Sequence, residues 1–258
     1  MKQSVFITVL TIAAFLIALA IYNFVFGNPA NFVDGVGRTN SGGNLLGTIY
    51  TGGPLVVLLI MLSLMDVAII FERILTLKKA GGKRAVPNFF KDVIAQLESG
   101  DYDAAIESCD KQRGSVANVI KASLLRYKEL TGKGKSVDAE KQLVEVQRAV
   151  EEASMLETPL LEKNLITLST IASIATMVGL LGTVIGMIRA FAAMAHAGTP
   201  DAIQLATGIS EALINTAGGL ITAILGIVAY NFFVNKVDNF TYMVDEASYN
   251  VIQILKSK

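Results

Sequence analysis

Ser169, Thr176 and Thr183 recur every seven residues in a stretch that is otherwise almost wholly apolar. Seven residues return a helix to nearly the same face, so these side chains form a column of hydroxyls. A hydroxyl donates one hydrogen bond and accepts two without carrying charge. Such a column either lines something wet or bonds back to carbonyls one turn earlier. A second polar set follows. Glu211, Asn215, Gly218, Thr222 and Gly226 share one helical stripe, while Ala212, Thr216, Gly219 and Ala223 share another. The two stripes are roughly 100–140° apart at 100° per residue. Glu211 stands one turn inside an apolar run, where an ionised carboxylate is costly and a functional role is the first reading. Its structural alternative is a bond to a helix end or an ion pair with Arg189, which would explain an arginine at that position. Asp66 lies in another apolar run, six and seven residues before Glu72 and Arg73, and is expected to snorkel or pair locally. Small residues are expected against neighbouring helices and polar ones toward a cavity.

Glycines accompany the hydroxyls. Gly179, Gly182 and Gly186 interrupt the first apolar stretch, and the last two make a G-x-x-x-G. Glycine is a poor helix former, but small residues let helices approach closely inside a membrane. Gly218 and Gly219 extend the same packing role to the second stretch.

The elements carrying these residues must cross a bilayer. The chain has 258 residues, 52% hydrophobic and 17% charged, with a mean hydropathy of +0.52. That is too apolar for an ordinary soluble domain. Four stretches are candidate spans: 5–26, 54–71, 165–195 and 209–234. The first covers roughly 33 Å at 1.5 Å per residue, enough to cross. Ala18-Leu19-Ala20 has the shape of a signal-peptide cleavage site, but the apolar run continues to Phe26, so a retained helix is expected. Arg73, Lys78, Lys79, Lys83 and Arg84 follow the second span, Lys163 precedes the third, and Lys236, Lys256 and Lys258 follow the fourth. By the positive-inside rule both termini are cytoplasmic. The expected organisation is an extra N-terminal transmembrane helix (1–27), a periplasmic loop (28–53) and a second span (54–71). A cytoplasmic helical domain (72–164), a third span (165–195), a short periplasmic turn (196–208), a fourth span (209–234) and a cytoplasmic helical tail (235–258) complete it. The fold class is all-α: a polytopic helical membrane protein whose long spans extend into a cytoplasmic helical domain.

Within that domain, Pro87 is expected at a helix start, Asp101 caps a helix bounded by Gly100 and Gly114, and Ser136 caps a longer one. Thr158-Pro159 reads as a cap followed by a first helical residue, opening a helix that runs into the third span. Val237, Phe240, Val244, Ala247, Val251 and Ile254 form a heptad seam on the tail. Cys109 is the single cysteine. It permits no intrachain disulfide and reads as an inert thiol. His196 reads as part of the outer turn.

No enzyme motif is present. The glycine-rich stretch lacks GK[ST], and there is no G-x-S-x-G, HExxH or CxxC. The formal net charge is zero, so no basic field points to nucleic acid. One histidine and one cysteine leave little for a metal. No cofactor is expected.

LSTIASIATMVGLLGTVIGMIRAF followed by GISEALINTAGGLITAILGIVAYNFF resembles the MotA/TolQ/ExbB proton-channel family, and its ExbB branch most closely. FERIL, after the second span, fits more loosely. The resemblance implies a homopentameric ring in the bacterial inner membrane. The ring would enclose an ExbD-like single-span partner with a membrane aspartate and act on a TonB-like protein. It puts the family's pore threonines at Thr183 and Thr216 and its glutamate at Glu211. The ion pathway is then expected to draw on Thr183, Thr216, Glu211, Thr176, Ser169, Asn215 and Thr222, with the acid supplied by the partner. Thr176 stands where the family often has proline, and four spans exceed the three of the basic ExbB pattern. Four is the count of MotA-like stators, so a flagellar or gliding stator is an alternative. A non-conducting membrane scaffold is another.

Overall fold

The computed structural model describes residues 3–33, 42–132, 139–196 and 202–256, and among these no strand occurs. The helices in chain order are α1 (Gln3–Ala20), α2 (Leu45–Tyr50), α3 (Leu55–Ala80), α4 (Val86–Glu98), α5 (Tyr102–Gln112), α6 (Ser115–Gly132), α7 (Ala139–Glu162), α8 (Leu165–His196) and α9 (Ala202–Lys256). Four helical stretches are long and apolar enough to cross a membrane. The chain is an all-α helical membrane protein. It divides into two compact units: residues 1–70 with 166–230, and residues 71–165 with 231–258.

In the first unit, α1 continues as a π-helical turn, Ile21–Phe26. Asn31 closes it by donating to the carbonyls of Val25 (2.7 Å) and Phe26 (3.1 Å). Tyr22 stacks on Tyr50 with ring centroids 4.6 Å apart, and its hydroxyl donates to the Tyr50 carbonyl. Among the described side chains of α1 only Ala14 and Ala18 are buried, and Val9, Ile12 and Leu16 are exposed. That is the pattern of a helix seated by small residues, with its remaining apolar surface uncovered by this chain.

The two stripes of α9 each find a helix. Its Ala212–Thr216–Gly219 face meets α8. A Cβ added to Gly186 would stand 2.6 Å from the Gly208 carbonyl oxygen, and one on Gly219 would stand 2.6 Å from that of Ala175. Backbone touches backbone along this seam, so only hydrogen fits. The other stripe meets α3 and the turn before it: Gly218 faces Leu59, and Gly226 faces Asp66. Gly53, at φ 78°, turns the chain into α3, a conformation glycine takes without strain.

The second unit is a helical bundle. Its core includes Phe89, Val93, Leu97, Ile120, Leu124 and Val146. Asp101 caps α5, its carboxylate accepting from the Ala104 amide. Gln112 is the polar centre: its amide donates to the carbonyls of Gly81 and Arg84, and its oxygen accepts from the Arg84 amide. Arg73, wholly buried, pairs with Glu72 at 2.5 Å and donates to the Leu161 carbonyl.

Several sequence expectations change here. Thr158-Pro159 is no helix start, because Pro159 lies inside α7. The chain breaks instead at Lys163-Asn164, where Asn164 takes φ 63°, the left-handed conformation asparagine tolerates at a helix end. Pro159 has no N–H to donate to the carbonyl four residues earlier, and α7 ends three residues later at Glu162. Pro87 is the second residue of α4. The tail seam is buried through Val251 but ends on Leu255, with Ile254 half-exposed. Asp66 neither snorkels nor pairs: it is 0% exposed, and neither carboxylate oxygen has a hydrogen-bond partner. Ser136 and residues 197–201 of the outer turn lie outside the described residues.

Candidate functional site

The polar residues of α8 and α9 are held in place by helix periodicity and by the glycine seam. Thr216 sits within that seam. Its hydroxyl faces two carbonyls, that of Ala212 on its own helix (3.1 Å) and that of Gly179 on α8 (3.3 Å). It is the hydroxyl that links the two helices. Thr183 is half-buried and donates to the Leu180 carbonyl at 2.6 Å. With Val184, Met187, Ile188 and Phe191 it lines an open depression of about 570 Å³ on α8. Thr176 donates to the Ala172 carbonyl and Thr222 to that of Gly218. Ser169 is half-buried, and its carbonyl accepts from Ser173.

The four threonine hydroxyls thus bond back to helix carbonyls, one of the two arrangements open from the sequence. This does not silence them. A hydroxyl that has donated its hydrogen still offers lone pairs. The surface so made accepts hydrogen bonds, carries no net charge and has fixed geometry.

Glu211 and Arg189 come together, Nη1 to Oε1, at 2.5 Å. Arg189 is half-exposed, whereas the Glu211 side chain is 10% exposed. The backbone of Gly53 lies beside the carboxylate, since a Cβ there would stand 2.7 Å from Oε1. One turn along, Asn215 is fully buried and donates to the carbonyls of Gly52 (2.8 Å) and Glu211 (3.0 Å). Asn215 and Glu211 therefore pin the Gly52–Gly53 turn to α9.

The site residues fall into two groups within one chain. Thr183 and Thr216 lie on or beside the outer surface of the α8–α9 pair. Asn215, Thr222 and Glu211 point toward α3 and its entry turn and are buried. The helix-packing glycines fall on the seams: Gly179 against Thr216 and Gly219, Gly182 against Asn215, Gly186 against Gly208 and Ala212, and Gly218 against Leu59. Sequence reasoning missed the partners of Asn215. The only hint was the Gly-Gly-Pro punctuation at 52–54.

A seam of touching backbones, bridged by a hydroxyl and an ion pair, joins two long apolar helices of a helical membrane protein. The sequence comparisons agree. The MotA/TolQ/ExbB proton channel family model matches residues 114–246. A biopolymer transport protein ExbB of Pseudomonas putida is 29% identical over 211 residues, 80% of this chain and 62% of that protein. A Tol-Pal system protein TolQ of Pseudomonas aeruginosa is 31% identical over 192 residues, 72% of this chain and 81% of that protein. An ExbB of Aquifex aeolicus is 43% identical over 77 residues, 30% of this chain and 52% of that protein. The chain belongs to the MotA/TolQ/ExbB proton channel family, a group of transport components and not a known enzyme class.

Proposed function

We propose that this chain is the ExbB-like subunit of a proton-driven motor in the bacterial inner membrane, both termini cytoplasmic. Copies form a ring, a homopentamer, around single-span helices of an ExbD-like partner. The partner's membrane acid carries the proton past the ring, and its movement does work on a TonB-like protein for outer-membrane transport. The observation that carries this reading is the wall itself. Apart from His196, the spans of α8 and α9 hold one basic and one acidic residue, Arg189 and Glu211, and these neutralise each other at 2.5 Å. What is left is hydroxyl and carbonyl oxygen. Fixed charges would trap a moving carboxylate, and neutral acceptors would not. The driving force is about 2.3 kcal/mol per charge per 100 mV of membrane potential.

The resemblance to TolQ-named proteins favours a second client for the same engine, a Tol-Pal task; a flagellar or gliding stator shares the chemistry too. Affinity purification from native membranes in mild detergent, followed by mass spectrometry, tests the reading. A small single-span protein with an aspartate in its span is expected, and its outer domain separates the clients. Recovery of the chain as a stable oligomer without such a protein overturns the motor and leaves a scaffold.

A further inference from the structure

Asp66 stands apart from the polar residues of α8 and α9, on α3. It stands eleven residues into α3, about 17 Å along the helix, within a candidate span. It is 0% exposed, and neither carboxylate oxygen has a partner. α9 presents Gly226 to it: a Cβ there would stand 3.0 Å from Oδ2, 3.0 Å from the Cβ of Ala172 on α8 and 3.3 Å from the Leu168 carbonyl. On this side the acid meets a glycine where any larger residue would crowd it. On α8 and α9 within this unit the charged residues are Arg189 and Glu211, and they pair with each other. Glu211 is fifteen residues, roughly 22 Å, from Gly226. Tyr230, one turn beyond Gly226, is the next titratable group on that stripe. α1 carries no charged residue. On α3 the nearest charges, Glu72 and Arg73, satisfy each other.

An isolated ionised carboxylate buried without a partner is not sustained in such surroundings, whereas a neutral acid costs no more than another polar group. A metal ion would need several oxygens, and no cluster of three acid, histidine or cysteine ligands exists among the described residues. We propose that Asp66 is a proton-binding site of this chain itself, distinct from the partner's acid, and that its proton is exchanged as the motor turns. The carboxylate takes one proton from hydronium, leaving water, and later returns it to water; the carboxyl O–H bond forms as the hydronium O–H bond breaks, and no electron moves. Proton binding stands by itself, whereas the exchange rests on the motor reading.

The test uses the full chain with its co-purified partner in lipid nanodiscs. Infrared difference spectra at neutral pH should contain the carbonyl stretch of a protonated carboxyl, and Asp66→Asn should remove it. Dicyclohexylcarbodiimide, an apolar reagent for protonated carboxyls, should label Asp66 by peptide mass spectrometry and stop proton flux. The labelling needs no variant, so it decides even if Asp66→Asn fails to fold. An unchanged band in Asp66→Asn, absence of the adduct on Asp66, or full flux in Asp66→Asn overturns the proposal. Thr183→Val and Thr216→Val should lose flux and keep the band. Wild type that carries no flux yet shows the band sinks the motor reading and leaves the proton site standing.

Discussion

At the scale of the residue, hydrogen-bond partners separate what a side chain holds from what it offers. Thr216→Val removes the donor to two carbonyls, a loss of about 1 kcal/mol read as a lowered melting temperature in detergent. Thr216→Ser should restore both the stability and the proton-driven work, because it returns the hydroxyl. Thr216→Val should assemble and do no work. A valine variant with full work would remove Thr216 from the ion path. The Arg189–Glu211 pair is half-exposed on the arginine side, so solvent weakens it; Glu211→Gln should shift stability by no more than about 1 kcal/mol. Cys109 is a different case. Burial, with Asp110 as the second influence, pushes its thiol up to about 12. The folded chain then keeps a proton that the unfolded chain releases first. Its contribution is constant below the ordinary thiol range and is lost as pH rises through it. A maleimide at pH 8 should leave Cys109 untouched in the folded protein and modify it after denaturation.

At the scale of the element, packing surfaces decide. Gly219→Leu drives a side chain into the Ala175 carbonyl and the Gly179 backbone. Forcing such contacts apart costs about 1–3 kcal/mol or more, and the oligomer should be lost on size-exclusion chromatography. Much of this was legible beforehand. The three-and-four spacing of small and polar residues on α9 announced two faces, and each proved to have a helix against it. Asp101 was legible as a cap because its side chain acts on the next few amides. Pro159 misled, since threonine-proline marks a helix start only where the preceding chain is not already helical. Gln112 left no trace, because a glutamine that binds carbonyls about thirty residues away in sequence makes no local pattern. Asp66 was seen but its solitude was not: Arg73 follows two turns later on the same face, and its guanidinium is taken by Glu72 and the Leu161 carbonyl.

At the scale of the whole molecule, hydropathy found the four spanning stretches, since their lengths are set by the bilayer. It did not say which apolar faces meet lipid and which meet another copy, because leucine and valine serve both. α1 illustrates the difference. It is anchored by two alanines and by the Tyr22–Tyr50 stack, with the rest of its apolar side chains largely outward. Deleting residues 1–26 should lower the melting temperature and leave assembly and ion-coupled work in place; loss of coupling with stability unchanged would assign α1 to the engine. The touching backbones of α8 and α9 carry a consequence for inheritance. Every amino-acid replacement at Gly186 or Gly219 adds atoms where none fit, so only synonymous changes are neutral there. The outward face of α1 has many neutral replacements. Across descendants of this gene, drift should accumulate on the lipid-facing helix and stall along the seam, so that substitution rate alone would trace the line where two helices meet.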